Sequence, residues 1–311
     1  MSIRLKDIAL ELKLDLSTVS RALRDDARVH PDTKTKVREA AARLGYRPNM
    51  LARRLAEGKT KTVWLLLPHL NAPIEREPAQ YAADMLYEYD YDLMIVQHRG
   101  KPEVYERLMG RLVAGLADGA LIIPGPEGDP PYEEVLVHAG FPLVFMDRHP
   151  RTLESIDVVT TDNKNGAYEL TRKLIRRGVT HVFAGFYEGN PVADARREGC
   201  IQAMRDNNIA YTLLSPDMPV PDTSGSIGII SSSQPLLMDT AKALPRASVL
   251  HGALFDQWYG GIAPFQSMDV CVQDFKTMAE EAVRVLLNRI GGTVQAGEIR
   301  KVPPLTFKEV I

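Results

Sequence analysis

In "LDLSTVSRALR" (residues 14–24), Ser17, Ser20, Arg21 and Arg24 are spaced three, four and seven residues from the first of them. On a helix this spacing gathers two hydroxyls and two guanidinium groups into one stripe, with Val19 and Leu23 on the opposite side. A merely solvated face is served as well by Glu and Lys. Arginine adds a planar fork of donors that takes O6 and N7 of a guanine together, and a serine hydroxyl can donate or accept. The stripe therefore points to a helix that reads DNA.

Such a helix needs a support. In "LKDIALEL", Leu5, Ile8, Ala9 and Leu12 repeat at i, i+3, i+4 and i+7, the apolar face of an amphipathic helix. Asp15 stands where an N-cap carboxylate would accept the free amides of the second helix. Pro31 opens a third helix with Val37, Ala40, Ala41 and Leu44 on one side, and Gly45 stops it. Three short helices burying the Val19/Leu23 side make a small all-α head with a helix-turn-helix over residues 1–47.

Charge supports this division. Residues 1–62 hold 15 Lys and Arg against 8 Asp and Glu, whereas the remainder holds 23 against 32. A basic head on an acidic body suits an arm for double-stranded DNA and a body with another task. The seven histidines show no HExxH or other metal spacing, and no P-loop or GxSxG is present, so neither an enzyme nor a cofactor is expected. Cys200 and Cys271 lack ligand spacing and read as reduced, buried thiols. No apolar run reaches the roughly 20 residues that cross a bilayer, and no signal-peptide core opens the chain, so a cytoplasmic protein is expected.

After a basic linker (48–60), the texture changes. "TVWLLLP", "DLMIVQ", "GALIIPG" and "FPLVFMD" are strand-length apolar runs alternating with helical stretches, and "HVFAGF", "SIGIISS" and "ASVLHGALF" continue the alternation. This predicts an α/β body of two doubly wound parallel-sheet subdomains whose strand ends share a cleft for a small ligand.

"KDIALELKLDLSTVSRAL", "LGYRPNMLARRL" and the ordered blocks "ADGALIIP", "FPLVFMDR", "TTDNKNGAYELTRKLIRRGVTHVFAGF" and "ARREGCIQAM" resemble the LacI/GalR family of bacterial transcription regulators over almost the whole chain. The resemblance implies a homodimer on a palindromic operator and a periplasmic-binding-protein-like body. It also implies body boundaries at 61–158 with 272–291 for the first subdomain, and 159–271 with 292–311 for the second. The family pattern maps base contacts onto Leu16, Ser17 and Arg21. Leu16 can offer only an apolar surface, to a thymine methyl or to helix one. Thr18, Ser20 and Asn49 suit phosphates. In the linker, Leu51 and Leu55 are four apart. The resemblance makes Leu55 a wedge in the central minor groove, flanked by Arg53 and Arg54. His30 departs from the small hydroxyl residue usual at the start of helix three, which puts its hydrogen-bonding role in question.

For the effector, the resemblance carries over Asp147, Arg196, Asp256 and Gln273. Departures are informative. Ser232 and Ser233 stand where an Asn-Asp pair is usual, and Ile74 and Glu75, with Arg76 next, replace an expected aromatic pair. Trp258 offers a stacking surface from the other side. Charged side chains in place of aromatic faces argue against a plain pentose or hexose.

Overall fold

The computed structural model describes residues 3–46, 58–71, 73–125, 131–186, 189–214, 223, 225–232, 234–244, 249–255, 258–260, 264–293 and 296–310. Asn49, Leu51, Arg53, Arg54, Leu55 and Asp256, with the linker helix expected around the first five, lie outside these residues. The chain divides into two compact units, residues 1–60 and 61–311.

The first unit holds α1 (Leu5–Leu12), α2 (Leu16–Leu23) and α3 (Pro31–Leu44). Ile8, Val19, Ala22, Val37 and Ala40 are fully or almost fully buried, with Leu5, Leu12, Leu23 and Leu44 packed around them. The Asp7 carboxylate accepts the Arg4 amide at 2.7 Å and closes the first turn of α1. Lys13, at φ 54°, ends that helix in the left-handed conformation. Gly45 ends α3 in the same way at φ 69°. Asp15 is the N-cap residue of α2, but its carboxylate forms no capping bond and stays exposed to solvent. Only its carbonyl engages, accepting the Thr18 and Val19 amides at 3.0 and 3.1 Å. His30 resolves the question raised by its type, because its Nδ1 accepts the Asp32 amide at 3.3 Å and caps α3.

The second unit contains two sheets. In chain order come β1 (Thr62–Leu67), α4 (Pro73–Glu88), β2 (Asp92–Gln97), α5 (Pro102–Val113), β3 (Gly119–Ile122), α6 (Glu134–His138), β4 (Leu143–Met146) and β5 (Val158–Thr161). They are followed by α7 (Asn163–Ile175), β6 (His181–Gly185), α8 (Pro191–Asp206), β7 (Ala210–Leu214), β8 (Ser226–Ser231), α9 (Gln234–Ala243) and β9 (Val249–Phe255). The last elements are β10 (Ser267–Val272), α10 (Phe275–Ile290), β11 (Ile299–Val302) and β12 (Thr306–Glu309).

The first sheet is parallel throughout, in the order β11-β5-β4-β3-β1-β2. The second runs β12-β10-β9-β8-β6-β7 and is parallel except for β12. Continuous apolar runs such as "TVWLLL" are buried on both faces. Val63, Leu65 and Leu67 pack with α4 and α10, while Trp64 and Leu66 pack with α5. The chain passes between sheets at 161–163, 272–275 and 302–306. Sheet membership thus differs from the division expected above, since β5 and β11 both lie in the first sheet. Cys200 and Cys271 are buried free thiols, and burial pushes Cys200 up to about 12. No helix among the described residues is long and apolar enough to cross a membrane.

Candidate functional site

On α2, the apolar side is sealed and the stripe is open. Val19 and Ala22 are inaccessible, whereas Ser17, Arg21 and Arg24 are exposed and Thr18 and Ser20 are half-buried. Leu16 is 53% exposed, so much of its side chain is available to an outside surface. Because Asp15 gives the first turn no side-chain cap, the amides there that its carbonyl does not take are open to an external acceptor such as a phosphate. A compact turn follows, pinned by the Arg28–Asp26 ion pair at 2.7 Å and by Lys34 and Arg38 on Asp25 at 3.1 and 2.7 Å. These pairs engage five charged side chains with one another beside the stripe.

In the body, the switch point of the first sheet lies where β1 is flanked by β2 and β3. A cavity of about 710 Å3 opens beyond these strand ends. Pro68 follows β1, His98 and Gly100 follow β2, Pro124 and Gly125 follow β3, and Arg148–Thr152 follow β4. Gly189 and Asn190, before α8 of the other half, complete it. His98 is 1% exposed; its Nε2 lies 3.3 Å from the Ile123 carbonyl and its Nδ1 accepts the Gly100 amide at 3.2 Å. Burial pushes its pKa down to about 4, so the ring is neutral near pH 7. Tyr105 meets it edge-on at 4.9 Å and donates its hydroxyl to Glu133, whose pKa burial raises.

Behind the cavity runs a buried polar network that joins the two halves. Asp147 ends β4 at φ 65°, a strained conformation for a residue with a side chain. Its carbonyl accepts the Thr160 hydroxyl at 2.5 Å. Asn163, in the crossover from β5 to α7, donates its amide to Thr160 Oγ1 at 3.2 Å and to the Thr161 carbonyl at 2.9 Å. Its Oδ1 accepts Arg196 Nε from α8 at 2.8 Å. The Arg196 guanidinium lies 4.1 Å from the centre of the Phe255 ring. The Thr161 hydroxyl donates to Gln273, which ties the 161–163 crossover to the 272–275 crossover.

The nominated effector residues therefore separate. Asp147 and Arg196 belong to the network. Ile74, Trp258 and Gln273 come together on a second cavity of about 450 Å3, with Tyr81 and Phe275. Half-buried Glu75, exposed Arg76 and half-buried Ser232 line neither cavity. Sequence reasoning missed His98, Glu133, Arg148 and Asn163; only Arg148 carried a signal, as the neighbour of Asp147 in "FMDR". No group of three or more His, Cys, Asp or Glu among the described residues is placed to hold a metal.

Comparison with known proteins bears on both units. Residues 4–49 match the bacterial regulatory proteins of the lacI family. Residues 60–222 match the periplasmic binding proteins and sugar binding domain of the LacI family. The chain is 31% identical over 191 residues to the HTH-type transcriptional regulator RegA of Clostridium saccharobutylicum, covering 61% of this chain and 57% of that protein. It is 26% identical over 213 residues to catabolite control protein A of Staphylococcus xylosus, covering 68% and 63% respectively. Less than two thirds of either relative's length is thus matched. The fold is similar to that of a lac repressor dimer bound to operator and the anti-inducer ONPF, with TM-score 0.75 at 18% identity over 100% of this chain and 98% of that one. It is also similar to the Cra dual regulator of Pseudomonas putida in complex with fructose 1-phosphate, with TM-score 0.65 at 20% identity over 81% and 99%. With family models matching residues 4–49 and 60–222, together more than half of the chain, the chain belongs to the lacI family of bacterial regulatory proteins.

Proposed function

We propose that the protein is a sequence-specific DNA-binding transcriptional regulator of the cytoplasm, acting as a repressor on a near-palindromic operator. The observation that carries this reading is the exposed Leu16–Ser17–Arg21 stripe on a helix whose opposite side is sealed into a compact head. Arg21 reads a guanine edge, Ser17 and Leu16 contact neighbouring bases, and Thr18, Ser20 and Asn49 hold phosphates. Leu55 is the minor-groove wedge, with Leu51 on the same side and Arg53 and Arg54 near phosphates. A homodimer brings two heads to two half-sites. Support for it comes from the edge strand β2, where Met94 and Ile95 are exposed, and from exposed Tyr87 and Tyr89 just before that strand. The body senses a small molecule in the interdomain cleft, with no catalytic step, cofactor or metal. Differential affinity of that molecule for two arrangements of the halves alters DNA binding. Wall residues bearing charge favour a ligand other than a plain neutral sugar.

Selection of sites from a random DNA library by the full chain, without added ligand, tests this reading. A palindrome with a fixed centre is expected. Leu55→Ala should weaken binding to the selected site far more than to random DNA; an equal loss on both refutes the wedge. A folded protein that binds neither selected nor random DNA refutes the regulator reading.

A further inference from the structure

Three arginines stand around the cleft, and the protein itself engages two of them. Arg196 is 5% exposed, bonded to Asn163 and stacked on Phe255. Arg151 pairs with Asp194 of α8 at 2.8 Å. The third, Arg148, is half-buried on the wall of the larger cavity and has no hydrogen-bonding or ion-pairing partner for its side chain among the described residues. A partly desolvated guanidinium without an acceptor is an unfavourable arrangement until a ligand supplies one.

The described lining residues do not supply it. Glu133 is the one acidic side chain among the described lining residues, and it is 3% exposed with its carboxyl already taking the Tyr105 hydroxyl. His98 is neutral and spends both ring nitrogens on backbone groups. His149 directs Nδ1 to the Pro150 carbonyl at 2.8 Å. Across the cavity, Asn190 begins α8, a helix of 16 residues whose positive end faces the same space.

We propose that this 710 Å3 cavity is a site for a small organic anion, a phosphate monoester or a carboxylate, whose acidic group is held by Arg148. The assignment rests on reading the body as an effector-binding unit, and it names the ligand class of that unit. The guanidinium fork takes two oxygens of the acidic group, and the rest of the molecule occupies the space between the strand ends and Asn190. Selectivity against the uncharged parent compound follows, because that compound leaves Arg148 unpaired.

Calorimetric titration of the full chain with inorganic phosphate, D-gluconate, D-glucose 6-phosphate and D-glucose, at matched ionic strength in chloride, tests the proposal. At least one of the three anions should bind saturably, and the phosphate and gluconate arms tell which acidic group is preferred. Glucose should bind about tenfold or more weakly than its phosphate. Arg148→Gln should weaken anion binding by about tenfold or more, with part recovered in Arg148→Lys. Arg107→Gln, on an exposed residue of α5 outside the cavity, should leave it unchanged. Saturation by none of the anions, equal binding of glucose and its phosphate, or unchanged affinity in Arg148→Gln would overturn the proposal. DNA binding by the same preparation separates the two readings. If DNA binding holds and the anions fail, only the ligand class falls; if anions bind and DNA does not, the cavity stands and the regulator reading falls.

Discussion

Asn163→Ala removes a side chain that bonds to both halves of the body at the first crossover. Two kinds of group lose a partner. Arg196 Nε, inside a residue only 5% exposed, loses the acceptor 2.8 Å away. Thr160 Oγ1 and the Thr161 carbonyl lose a shared donor at 3.2 and 2.9 Å. A hydrogen bond to a charged group is worth roughly 1.5–3 kcal/mol, and a neutral one about 1 kcal/mol. The Phe255 ring stays in place beneath the guanidinium, so the cation–π contact persists and the charge is not wholly stranded. The expected loss of body stability is therefore about 2–4 kcal/mol.

The protein provides its own selective reporter for this measurement. Its two tryptophans, Trp64 and Trp258, both lie in the body, so urea unfolding followed by tryptophan fluorescence reads that unit and not the head. Asn163→Asp separates the two kinds of bond. It keeps an acceptor for Arg196 and adds a charge to it, but sets an oxygen against the Thr161 carbonyl where a donor stood. A loss below about 1 kcal/mol for the alanine variant would refute the account, since it would mean that the network has other partners ready for Arg196.

Three further outcomes follow from the same physics. His98 is held at about 4, below the ordinary histidine value, so the folded state binds fewer protons than the unfolded one and its contribution to stability is full above pH 6.5 and lost as pH falls toward 4. That contribution is about 3 kcal/mol, and His98→Gln should flatten the fall in urea midpoint between pH 6.5 and 4; an identical pH dependence in the variant would remove His98 from the explanation. Gly199 lets α8 pass close to α7, since a Cβ there would lie 2.0 Å from the Lys164 carbonyl oxygen. Gly199→Ala should cost the body about 3 kcal/mol or more in the same assay, and a near-neutral result would show that the two helices can part freely. In the head, His30 caps α3 with a long bond of 3.3 Å. His30→Ser should slow hydrogen exchange across the first turns of α3, an improvement of about 0.5–1 kcal/mol, whereas faster exchange would mean that the imidazole is the better cap.

How legible these features are in the sequence depends on how far apart the interacting residues are. The stripe on α2 is readable because a helix fixes its own geometry: once Val19 and Leu23 face inward, Ser17 and Arg21 must face out. Long apolar runs such as "TVWLLL" and "HVFAGF" are readable because central parallel strands are buried on both faces. "VVTT", "IRKV" and "TFKE" are four residues each, carry polar or charged side chains, and become β5, β11 and β12 only through partners distant in the chain. Asp15 looked like a side-chain cap because its type and place were right; whether a carboxylate caps or stays solvated is decided by a few ångströms that spacing does not encode.

The cleft shows the same limit at its sharpest. Strand ends can be nominated from sequence, but which side chain at a strand end faces a cavity is set by register and by the crossovers. Ile74, Trp258 and Gln273 share one cavity although some 200 residues separate the first from the last, while Glu75 and Arg76, beside Ile74, line neither of the two cavities described above. Arg148 and Arg151 are alike in type and three residues apart. One is neutralised by Asp194 from the other half of the body, and the other has no side-chain partner among the described residues. That difference is a property of how two sheets meet, and it is the difference that assigns a charge to the ligand.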